Sequence, residues 1–213
     1  MHAQRRPEVI LVHGLWFGSW AMSRLANRLG RKGFTVRRIN YRTTRGNLAE
    51  HARRLQAFAA LSTAPTQHFV GHSLGGLVIL KLFSTGVEIP PGRLVFLGSP
   101  LKGSRVARKA AAIPGAATLF GKIRTALDDG YSVVPDGRDV GMIAGSKSAG
   151  LGWLVGGTGG PGDGTVAVAE TMADGLTDHC LLPVTHTSMI FSARVAEQAA
   201  YFLENGRFMS GPA

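Results

Sequence analysis

Gly71-His72-Ser73-Leu74-Gly75-Gly76 is the stretch of this 213-residue chain whose residue types and spacing best suit covalent chemistry. It follows the apolar run His68-Phe69-Val70 and precedes the apolar run Leu77-Val78-Ile79-Leu80, so a strand, a sharp turn and a helix are expected in that order. Such a turn lifts a serine clear of a sheet, and small residues at Gly71 and Gly75 leave room for the neighbouring chain. The helix starting just after Ser73 aims backbone N–H groups and a partial positive charge at any oxyanion that forms there. The corresponding chemistry is attack of a serine oxygen on a carbonyl carbon. A serine hydroxyl is a weak nucleophile, so this needs a histidine to accept its proton and a carboxylate to fix the imidazole tautomer.

Elements able to position such groups recur along the chain. Short apolar runs at Glu8–His13, Phe34–Asn40, Gln67–His72, Arg93–Gly98, Asp139–Ala144 and His179–Pro183 read as strands. Several are almost continuously apolar, as strands covered on both faces must be. Helical spacing is expected at about 18–31, 47–62, 74–85 and 192–204, with Val195, Ala199, Phe202 and Leu203 repeating on the last. Alternation of this kind predicts a mostly parallel sheet of about six strands between two helical layers. There is no internal repeat and no linker-like shift in composition, so residues 1–213 are expected to form a single α/β domain.

The segment around Ser73 resembles the nucleophile elbow of the α/β-hydrolase superfamily, in the Gly-His-Ser-x-Gly-Gly form found in small bacterial lipases and esterases. A second motif agrees with it: Leu11-Val12-His13-Gly14-Leu15-Trp16, directly after the first strand. The resemblance implies that the Leu15 and Leu74 N–H groups form the oxyanion hole, and that the triad runs in the order serine, acid, histidine. His179 and His186 both satisfy that order. His186 is preferred because it follows the last strand, where ligand-binding groups gather, whereas His179 stands at the strand's opposite end. Asp163-Gly164-Thr165-Val166 resembles the Asp-Gly-x-Val segment that carries the acid in related lipases, with Asp136, Asp139, Asp174 and Asp178 as competitors whose default role is a turn or cap. His72 is expected to point away from the serine in a structural role. Trp16, Phe17 and Trp20 either line an acyl pocket or simply pack.

The implied activity is hydrolysis of carboxylic esters through an acyl-enzyme, with a thioesterase or transacylase as the alternative; it requires no cofactor and no metal. Many relatives carry two further strands and a large cap. Here residues 102–127 are expected to supply at most a small lid, basic outside, with Ile113, Leu119, Phe120 and Ile123 turned inward.

The charge balance poses a separate question. The chain carries 24 Lys+Arg against 13 Asp+Glu, a net +11 that invites a nucleic-acid or membrane reading. By segment, residues 1–60 carry +10 and residues 101–127 carry +6, whereas residues 128–178 return −6. No nucleic-acid motif accompanies this polarity. It points instead to a small-molecule or lipid ester substrate that is anionic, or that lies at an anionic interface. No apolar run approaches the roughly 18–20 residues of a membrane-spanning helix. Arg5-Arg6 is followed by Pro7-Glu8, a poor twin-arginine signal, and Cys180 is the single cysteine, so a cytoplasmic location is expected. Gly157–Gly162 spells Gly-x-Gly-x-x-Gly but lacks a surrounding βαβ unit, and the Gly-Lys at 121–122 has the wrong spacing for a phosphate loop.

Overall fold

Six strands form, several of them almost continuously apolar and fully buried, and all six pair in parallel. A computed structural model describes residues 6–150, 152 and 155–210. Arg5, and with it the twin-arginine reading, lies outside the described residues, as do the two ends of the expected 1–213 domain. The strands are β1 (Glu8–Val12), β2 (Thr35–Ile39), β3 (Gln67–His72), β4 (Leu94–Leu97), β5 (Val140–Gly145) and β6 (Asp178–Leu182). Their order across the sheet is β2-β1-β3-β4-β5-β6. The chain therefore steps outward from β1 to one edge, then returns to lay β3 along the other side of β1. Ligands of open parallel sheets sit outside the carboxyl ends of the strands at such a reversal.

The helices are α1 (Ser23–Arg31), α2 (Leu48–Ala59), α3 (Leu74–Phe83), α4 (Arg105–Ala111), α5 (Arg124–Asp129) and α6 (Ala193–Asn205). Alternate side chains of one strand reach opposite layers. Ile10 and Val12 of β1 pack with α2 and α3, whereas Val9 and Leu11 pack with α1 and α6. α3 is apolar all round and buried along nearly its whole length, as a helix between sheet and outer layer must be. α2 starts at a reciprocal cap in which the Asn47 side chain accepts from the Glu50 N–H and the Glu50 carboxylate accepts from the Asn47 N–H.

Every expected strand is present, displaced by at most a residue at either end. The expected helix at 18–31 divides into a 3-10 turn, Ser19–Met22, and α1. Residues 102–127 contain α4, 3-10 turns at Ala116–Leu119 and Gly121–Ile123, and the start of α5. No described helix is long and apolar enough to cross a membrane.

Candidate active site

Four loops leaving the carboxyl ends of the sheet converge, after β1, β3, β5 and β6. β1 and β3 are neighbours, with Val12 opposite Gly71, so the loop carrying Leu15 lies beside the turn carrying Ser73. Gly75 shows why that turn needs glycine: a Cβ there would collide with the Val12 carbonyl. Ser73 itself holds φ 52° and ψ −120°, a left-handed conformation unfavourable for a residue with a side chain. Trp16, with φ 61°, is the other non-glycine residue of positive φ among the described residues. Both strained positions border the same cavity, which is where such strain is characteristically stored.

Asp163, in the loop after β5, meets His186, in the loop after β6. Asp163 Oδ2 lies 2.7 Å from His186 Nδ1, and the His186 N–H donates to the Asp163 backbone carbonyl at 2.9 Å. The second carboxylate oxygen, Oδ1, accepts the Thr165 and Val166 N–H groups at 2.9 and 2.7 Å. Burial alone would raise the Asp163 carboxyl. The His186 imidazole and the two backbone donors outweigh it and hold the group below the usual carboxylate range. The pair rests on Gly98, whose φ of +58° favours glycine and where a Cβ would come within 2.8 Å of Asp163 Oδ2.

Three of the rival residues are committed elsewhere. Asp139 pairs with Arg93 at 2.8 Å, Asp178 accepts the His179 and Phe208 N–H groups, and the His179 ring bonds Thr171. His72 is fully buried, as a structural residue would be, yet it turns toward the site rather than away. Its Nε2–H donates to the His186 backbone carbonyl at 3.0 Å, and the two rings lie 4.8 Å apart. Burial, and next the neighbouring His186, push its pKa down to about 3, so it stays neutral.

The Leu15 loop is held from below. The His13 ring stacks on Tyr41 at 4.4 Å, and the Tyr41 hydroxyl donates to the His13 carbonyl at 2.7 Å. The Trp16 N–H donates to Thr43 Oγ1 at 3.2 Å, while the Leu15 N–H takes no part in these bonds. Leu74 is the first residue of α3, where a backbone N–H has no acceptor within the helix. Tyr41, Thr43 and Gly98 escaped sequence reasoning because their parts depend on pairings across elements.

Ser73, His72 and His186 line one cavity of about 600 Å3. Most of its remaining surface is apolar: Leu15, Trp16 and Phe17 on one side, and Val106, Ala107, Ala110 and Phe120 from the segment following β4 on the other. Phe120 and Ile123 turn inward as expected, whereas Ile113 and Leu119 reach the cavity but stay more than half exposed. Trp20 does not line it; this side chain packs edge-on against Phe17 and is largely exposed. A serine at positive φ, a carboxylate-oriented imidazole and the Leu15 and Leu74 N–H groups thus stand together beside an apolar cavity.

Residues 9–197 match the model of the Alpha/beta hydrolase family. No curated protein matches the sequence. Among solved structures, the mature Bacillus licheniformis lipase BlEst2 is similar over 96% of this chain and 93% of that one, with 19% identity and a TM-score of 0.75. The metagenomic carboxyl esterase MGS0156 is similar over 88% of this chain and 66% of that one, with 14% identity and a TM-score of 0.69. The Vlm2 thioesterase domain covers 96% of this chain and 94% of its own, with 15% identity and a TM-score of 0.59.

Proposed function

Because the chain belongs to the alpha/beta hydrolase family, we propose that it is a serine esterase that hydrolyses carboxylic esters bearing an apolar acyl group. As Ser73 Oγ attacks the carbonyl carbon, His186 takes the hydroxyl proton through Nε2, and Asp163 steadies the imidazolium through Nδ1–H. The oxyanion accepts from the Leu15 and Leu74 N–H groups, each such donor contributing about 3 kcal/mol to the transition state. His186 then returns the proton to the departing alkoxide. A water attacks the acyl-enzyme by the same route, releasing the carboxylic acid and restoring Ser73.

The observation that carries this reading is the 2.7 Å contact between His186 and Asp163 beside a strained serine that lines an apolar cavity. The acyl chain occupies that cavity, with Trp16 and Phe17 as part of its wall. Residues 102–127 act as a small lid over it, and the whole chain works as one domain. Fluorophosphonate should label the wild type at Ser73 and should not label a folded Ser73→Ala variant. Equal labelling of that variant would remove Ser73 from the mechanism.

A thioesterase or transacylase using the same three side chains is the second reading. The cavity supports it because its apolar lining recognises the acyl part and leaves the leaving atom unspecified. Parallel assays with p-nitrophenyl esters and acyl thioesters, with and without an added alcohol, separate the readings by which bond breaks and which acceptor is acylated.

A further inference from the structure

A second depression adjoins the cavity and shares Trp16 and Phe17 with it. Its volume is about 430 Å3, and beyond those two rings it is lined by residues 40–45, the loop leaving β2. Arg42 and Arg45 belong to that lining, and both residues are exposed. Neither enters any ion pair among the described residues. The nearby carboxylate of Glu50 is occupied by the Asn47 N–H at the start of α2.

The loop presenting them is fixed rather than slack. The Arg45 N–H closes a turn on the Arg42 carbonyl at 3.0 Å, and the Thr43 carbonyl meets His51 Nε2 at 3.0 Å. The Tyr41 hydroxyl anchors it to β1, and the Lys122 N–H reaches the Thr44 carbonyl at 3.4 Å. An apolar cavity on one side of Trp16 and a cationic groove on the other suit a substrate with one apolar and one anionic end.

From this geometry we infer that Arg42 and Arg45 form a subsite for a phosphate-type anion on the leaving group, so that the substrates are acyl esters of phosphorylated alcohols. The inference rests on the esterase reading above. Guanidinium groups match phosphate oxygens in geometry and remain charged at any working pH. In this arrangement the acyl chain fills the apolar cavity, the scissile carbonyl lies at Ser73, and the phosphate rests between the two arginines.

The test compares two oxygen esters that differ only in the phosphate, 1-octanoylglycerol 3-phosphate and 1-octanoylglycerol, as soluble monomers at low salt. The wild type should favour the phosphorylated ester in kcat/KM by about tenfold, as two partly screened contacts imply, with the preference shrinking as salt rises. Arg42→Glu/Arg45→Glu should abolish the preference. Arg31→Glu/Lys32→Glu, the same charge change at exposed positions on and after α1, should retain it. Equal kcat/KM for the two esters in the wild type, or a preference surviving the first double variant, overturns the inference.

Calorimetric binding of 1-octanoylglycerol 3-phosphate to Ser73→Ala reads the groove without turnover. If neither ester is cleaved and fluorophosphonate fails to label the wild type, the esterase reading falls. The groove is then judged by whether Arg42→Glu/Arg45→Glu weakens that binding about tenfold or leaves it unchanged. Phosphatidylglycerol vesicles form the last arm: if the first double variant loses vesicle binding alone and keeps the monomer preference, the arginines serve a surface and the subsite is overturned.

Discussion

The imidazole of His72 packs 4.8 Å from that of His186 and donates its Nε2–H to the His186 backbone carbonyl at 3.0 Å. The loop bearing His186 is thus fastened to the residue preceding Ser73. His186 and Ser73 are thus tied together through a bond to backbone, which leaves the His186 ring free of that contact.

That fastening carries a cost in acid. His72 is held at a pKa of about 3 by burial and then by His186; His68 is held at about 4 by burial and then by Arg93 and Arg138. Unfolded, both return to about 6.5. Below that pH the unfolded chain binds more protons than the folded one, so stability falls progressively as the pH drops from about 6.5 toward 4 and 3. Asp163, held below its ordinary value, works in the same direction at still lower pH. Between pH 7 and pH 4.5 these two histidines are expected to remove on the order of 4 kcal/mol, measured as a falling urea midpoint. His68→Gln should lessen the slope; a midpoint independent of pH over that range would refute the account.

Asp163→Asn should leave the fold intact, because its amide oxygen can still accept from Thr165 and Val166 in place of Oδ1. The amide NH2 would then face His186 Nδ1 and stabilise the tautomer whose Nε2 already carries a proton. A fall in kcat of about 10^4 is expected on p-nitrophenyl butyrate, since the imidazole can no longer act as a base. A loss smaller than about tenfold would mean that another acid orients His186.

Trp16 joins the loop after β1 to the segment beside the cavity. Its Nε1–H donates to the Leu119 carbonyl at 2.9 Å, and its ring lies 5.3 Å from Phe120. Trp16→Phe keeps an aromatic ring but removes that bond, worth about 1 kcal/mol. Tryptic cleavage after Lys122 and Arg124 should then quicken about fivefold, as the open state becomes more populated. An unchanged cleavage rate would show that the bond does not hold the segment down.

The elbow, its strand and helix, the family resemblance and all six strands were legible in the sequence. Each depends on local patterning: an apolar run, a helical repeat, or small residues at a turn. His186 and Asp163 were legible through chain order and a short motif, although their contact spans 23 residues. What only the tertiary structure decided is which groups meet across elements. His72 turned toward His186 because β3 and the loop after β6 converge. Gly98 became the seat of the Asp163–His186 pair because β4 lies beside β5. Tyr41 and Thr43 came to support the Leu15 loop because β1 pairs with β2 in parallel. The same packing converted a diffuse excess of positive charge into two arginines on a fixed loop, one aromatic wall away from the serine. Composition records how much charge a chain carries; only strand order and loop closure determine where it stands relative to a reacting atom.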